Sequence, residues 1–176
     1  MKIDQLRSCD ILLYKGKGFR SWLIQWGTKS PYNHVAVMVS PEMNLGVESN
    51  TGHQSGVQAF DVKQFKAGEI DVFRVKSRYP FNKSTVISYL VAHLGAKFDW
   101  IGVSALGLMK FLSFFTAFKA FTWHNEFQRK KDYFCSELVY EAFKAGNLDI
   151  VPEIDEAAVT SPADISKSSV VEKIIC

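Results

Sequence analysis

The run His34-Val35-Ala36-Val37-Met38-Val39 is apolar on both of its alternating faces. An extended segment of that kind is a strand buried on two sides. Asp10 to Tyr14, Leu45 to Ser49 and Ile70 to Val75 are further short apolar runs that read as strands. Pro41, Gly52, Gly56 and Gly68 supply the breaks around them, and an antiparallel meander is the natural arrangement.

Helical signals alternate with these runs. Gly16 and Gly18 suit a turn after the first strand, without the full spacing of a phosphate-binding loop. Trp22, Leu23 and Trp26 fall at helical spacing in a segment closed by Gly27 and Pro31. Asn82 caps a predicted helix running towards Gly95, with Val86, Leu90, Val91 and Leu94 on one side. A second helix opens at Cys135, where Leu138, Val139, Ala142 and Phe143 form an apolar face and Gly146 gives the stop. Ser161-Pro162-Ala163-Asp164 combines a capping serine, a proline at the first helical position and an acid in the first turn. The order is that of an α+β protein.

With 176 residues, 47% of them hydrophobic, the chain can bury one core and is too short for two ordinary domains. A single domain spanning 1–176 is expected, with an apolar helical segment at about 99–125. Within it, Ile101 to Phe121 would make a helix of roughly 30 Å. Lys110 and Lys119 argue against a membrane span, because each costs roughly 3 kcal/mol near a bilayer centre. The segment is expected to be a packing helix or an apolar lid, with peripheral contact to a membrane or a lipid as the sharper alternative.

The net charge of +3 is spread among interleaved acids and bases, which excludes a stripe that would track nucleic acid. Arg129-Lys130-Lys131 reads as a solvated turn. Cys9, Cys135 and Cys176 show no metal or redox spacing, and neither a metal nor an organic cofactor is expected. Met1 to Arg7 lacks the apolar core of a secretory signal, so a reducing, cytoplasmic setting is expected and the Asn82-Lys83-Ser84 glycosylation pattern is a coincidence.

A thiol is a useful nucleophile at neutral pH when a helix N-terminus or a neighbouring imidazole lowers its pKa. Cys135 has the first of these, as the residue that opens an amphipathic helix. Among the four histidines, His34 heads a buried strand at the rim of the predicted sheet, where its side chain can reach a helix terminus. His53 sits in a polar loop, His93 within a helix and His124 beside the charged turn. Glu48, on the next strand, shares a face with His34 if the two strands pair, and can orient the imidazole. Asn50 is a fallback for that third role, and Asp61 a more distant one.

Several motifs, taken in order, resemble the permuted papain-like amidases of the YaeF/YiiX type, relatives of the NlpC-type hydrolases. They are Cys9-Asp10-Ile11-Leu12-Leu13-Tyr14, Asn33-His34-Val35-Ala36, Val47-Glu48-Ser49, Asp132-Tyr133-Phe134-Cys135-Ser136-Glu137-Leu138-Val139 and Ser161-Pro162-Ala163-Asp164-Ile165. In that family histidine precedes cysteine, as His34 precedes Cys135 here. The resemblance implies an antiparallel sheet or half-barrel packed against helices. It also implies Cys135 as nucleophile, His34 as general base and then acid, and Glu48 as the orienting residue, with Tyr14 or Asp10 lining the site.

The expected reaction is cleavage of an amide or ester through a thioester. The substrate would be a small peptide, an amino-acid conjugate, a cell-wall fragment, or a lipid amide or ester. A lipid-directed acyltransferase and a catalytically silent binding module on the same scaffold are the rival expectations. The chain departs from the family pattern at Cys9, where a glycine is usual, and in the length of its apolar segment, which favours a lipid or acylated substrate.

Overall fold

The computed structural model describes residues 5–16, 25–26, 29–51, 55–66, 68–98, 133–154 and 160–174. The segment Ile101 to Phe121, the basic run Arg129 to Lys131, and Trp22, Leu23, His53, His124 and Cys176 lie outside them.

The described residues form an α+β structure around one sheet. Its strands are β1 (Ile11–Tyr14), β2 (His34–Ser40), β3 (Leu45–Asn50), β4 (Gly56–Asp61), β5 (Ile70–Val75) and β6 (Val171–Ile174). The helices are α1 (Lys83–Ala92), α2 (Cys135–Ala145) and α3 (Pro162–Lys167). Every strand pairing is antiparallel, in the spatial order β4-β3-β2-β1-β5-β6. A meander therefore holds for β1 to β4, and β5 departs from it by pairing with β1 instead of β4. The first strand inserts between β2 and β5 because all its residues are apolar and buried, a pattern that belongs at a sheet's centre. The outer strands β4 and β6 carry exposed residues, as edges do.

The pleat divides the core. Ile11, Leu13, Val35, Val37 and Val47 point to one face, where they meet Val86 and Leu90 of α1 and Leu138, Val139, Ala142 and Phe143 of α2. On the other face Leu12, Tyr14, Ala36 and Met38 gather with Phe60, Val62 and Ile70. The apolar period of the Cys135 helix thus serves burial as predicted. On α1, Asn82 accepts a hydrogen bond from Thr85 N–H, but Val91 and Leu94 are exposed rather than joining Val86 and Leu90 in the core. Among the described residues no helix is long and apolar enough to cross a membrane.

Two backbone features fix how the strands enter the sheet. Gly56 has φ +132, and a Cβ there would strike the Ala96 carbonyl that accepts Val57 N–H, so this glycine lets β4 dock on the segment that follows α1. Cys9 adopts φ +68, a left-handed conformation that suits glycine, the residue usual there in the family that the sequence resembles. Its N–H is held by Met38 C=O, fixing the entry to β1.

Candidate active site

Phe134 is buried and extended, and the helix starts on the next residue, so Cys135 is the first residue of α2. Three bonds hold this entry in place. Tyr133 N–H donates to Lys97 C=O, Ser49 Oγ donates to Tyr133 C=O, and Ser136 Oγ donates to Thr160 C=O at 2.7 Å. Glu137 Oε2 accepts Phe134 N–H at 3.4 Å, leaving the N–H groups nearest the sulfur to other partners.

His34 is the first residue of β2, and its side chain stands at the rim of the sheet. From there it reaches both layers. Glu48 lies beside Ala36 in the β2–β3 register, on the face opposite that covered by α2, and its Oε2 is 2.8 Å from His34 Nε2. His34 also hydrogen-bonds Cys135, and with Nε2 engaged, Nδ1 is the nitrogen left to face the sulfur. The backbone N–H groups of Val35 and Ser136 complete the sulfur's surroundings.

The electrostatics follow from this chain of contacts. Burial disfavours the Cys135 thiolate, but the charge and hydrogen bond of His34 and the two backbone N–H donors outweigh it, holding the thiol below its ordinary value. Burial likewise disfavours the imidazolium, and here Cys135 first and then Glu48 raise the His34 pKa. Glu48 is 3% exposed, which penalises its charge; His34, Asn50 and Gln58 more than compensate and hold it below the usual carboxylate range. Sulfur, imidazole and carboxylate thus lie in series, and each neighbour favours the charged form of the next.

Tyr14, the register partner of His34, places its ring 5.0 Å from the imidazole. Its hydroxyl is buried and has no hydrogen-bond partner among the described residues. Burial, then the Glu48 charge, pushes its pKa far up, so it stays neutral. Asp10 is not brought to the site. It lies about 13 Å back along the strand from Tyr14, where Arg74 Nε and Nη2 each reach its carboxylate at 2.6 Å. The sequence sees both as flanking one short strand and cannot tell which end faces His34.

The fallback residues also have definite places. Asn50 braces Glu48 Oε1 at 2.8 Å instead of bonding His34, and Asp61 caps a 3-10 turn by accepting Lys63 N–H. His93 stacks on Tyr89 and bonds its carbonyl oxygen, a structural role. Sequence reasoning missed Gln58, whose Nε2 donates to Glu48 Oε1 at 3.1 Å. Nothing at that position signals this without the β3–β4 register, which sets Gln58 directly opposite Glu48.

Sheet and site together define an α+β protein with a Cys–His–Glu relay at the junction of strand rim and helix start. No family model matches the chain, and no curated protein matches it in sequence. In structure it is similar to the metalloprotein yiiX from Escherichia coli O157:H7, with 15% identity, a TM-score of 0.66 and 97% of each chain covered. The fold is therefore of the yiiX type. Among the described residues no group of three or more His, Cys, Asp and Glu side chains is arranged to hold a metal ion. Cys135, His34 and Glu48 lie in series, sulfur to ring to carboxylate, and do not converge on one point, so this donor set does not fit a metal.

Proposed function

We propose that the chain is a cysteine-dependent hydrolase of permuted papain-like type, cleaving an amide or ester bond through a thioester acyl-enzyme. The observation that carries this reading is the relay itself: a helix-opening thiol kept below its ordinary pKa by an imidazole that a buried carboxylate holds on its far side. The yiiX-type fold and the order of His34 before Cys135 support the family reading.

Cys135 sulfur attacks the carbonyl carbon, forming the C–S bond and moving the π electrons onto oxygen. Backbone N–H groups of the first turn of α2 face the developing oxyanion. Collapse breaks the C–N or C–O bond while His34 passes its proton to the leaving amine or alcohol. His34 then takes a proton from water, whose oxygen attacks the thioester, and the thiolate leaves. Glu48 stays ionised throughout and keeps the imidazole oriented.

The substrate class is a small peptide, an amino-acid conjugate, a cell-wall fragment, or a lipid amide or ester. A panel of such amides and esters, run against Cys135→Ser as the blank, tests the reading. Turnover of at least one member is expected to fall by roughly a thousandfold or more in the variant. Turnover that persists unchanged in Cys135→Ser overturns it.

A further inference from the structure

We propose that Gln58, acting with Asn50, is a positioning residue that fixes Glu48 as an anion behind His34, and so belongs to the reactive site although it touches neither sulfur nor imidazole. The inference rests on the role of Glu48 in the proposed hydrolase.

Glu48 is a buried carboxylate, and such a group is costly unless each of its oxygens is satisfied. His34 serves Oε2. Oε1 points away from the imidazole, in the layer that holds Phe60 and Tyr14, and receives Asn50 Nδ2 at 2.8 Å and Gln58 Nε2 at 3.1 Å. Both amides therefore present N–H to Oε1, and a proton placed on that oxygen would meet two donors and no acceptor, while Oε2 faces the imidazole. Three adjacent strands supply the set, with His34 from β2, Glu48 and Asn50 from β3, and Gln58 from β4. Among the described residues, the other titratable group facing Glu48 is Tyr14 from β1, which stays neutral and adds no charge. Cys135, from α2, faces the opposite nitrogen of the ring and depends on Glu48 only through the imidazolium.

A donor role and a packing role rank two substitutions oppositely. In Gln58→Met an apolar chain of similar size removes the donor and excludes water. In Gln58→Ala the space is open to a water molecule that can donate in its place. The experiment follows the rate of iodoacetamide alkylation of Cys135 against pH, with thermal midpoints recorded alongside. On the acid limb, Gln58→Met is expected to slow alkylation roughly threefold to tenfold, with Gln58→Ala between it and wild type. Glu48→Gln should slow it more, and adding Gln58→Met to Glu48→Gln should change nothing further.

The inference is overturned if Gln58→Met lowers the midpoint while its acid limb stays at the wild-type pH, or if Gln58→Ala is the slower of the two. A limb that moves in neither Glu48→Gln nor Gln58→Met removes the hydrolase reading of Glu48 itself. A limb that moves in Glu48→Gln alone removes only the assignment of Gln58.

Discussion

Replacing His34 with alanine is expected to slow iodoacetamide alkylation of Cys135 at pH 6 by at least about tenfold, while leaving Cys9 as unreactive as before. The sign follows from the couplings. His34 is the cation that offsets the burial of the sulfur, so its loss leaves desolvation to act against the thiolate. A thiol near the ordinary pKa of about 8.5 is less than about 1% ionised at pH 6. The more basic thiolate is intrinsically more nucleophilic, which recovers roughly a decade of rate and leaves a net loss of about tenfold. The difference should shrink as pH rises past the ordinary thiol range, where the variant also ionises. Cys9 is the internal control, because burial pushes its thiol up to about 11, the nearby Lys83 charge opposing this only in part. Site-resolved mass spectrometry after timed quenching gives both rates. Equal labelling of Cys135 in wild type and variant across the acid range would remove the imidazole from the mechanism.

Replacing Asp10 with alanine is expected to destabilise the protein by about 3 kcal/mol, the lower end of the range for removing one member of a buried ion pair. Asp10 is 1% exposed and holds Arg74 through both carboxylate oxygens, and Oδ2 also accepts Arg7 N–H at 2.8 Å. The guanidinium keeps some solvent, its side chain being 20% exposed, which limits the loss. For a chain of this length the midpoint should fall by roughly 6–12 °C. Below the transition, alkylation of Cys135 should keep its wild-type pH dependence, because the pair lies at the far end of β1 from His34. A shifted acid limb in the folded variant would return Asp10 to the site.

Much of the scaffold is legible in the sequence because burial leaves a period there. The apolar β1, the apolar interior of β2, the amphipathic α2, the Asn82 cap and the Ser161-Pro162 helix start each follow from a local rule. What escapes is what neighbours in space decide. The strand β4 begins at a glycine that reads as a turn and carries the polar Gln58, and β6 is only four residues long with two of them charged. Both are recognisable as strands only beside a partner. The pairing of β1 with β5 is likewise set by the need to bury the second edge of β1, not by chain order.

The site divides along the same line. Cys135 and His34 stand at element starts, which a sequence marks, and the structure brings them together with Glu48. Strand alternation puts Asn50 on the Glu48 face, but its use on the carboxylate rather than on the ring depends on side-chain reach across the β3 rim. Tyr14 and Asp10 are inseparable by pattern. Register separates them, since Tyr14 is paired with His34 while Asp10 lies beyond the opposite end of the strand.

The central claim is that Cys135 is a nucleophile activated by His34. Its most direct test is the intact mass of the protein after brief exposure to an activated acyl ester at pH 6, followed by peptide mapping. One acyl group per chain is expected, carried as a thioester on Cys135, absent in Cys135→Ser and slow to form in His34→Ala. An adduct mapping to Cys9 or to lysines, or one that forms on Cys135 at the same rate without His34, would contradict it.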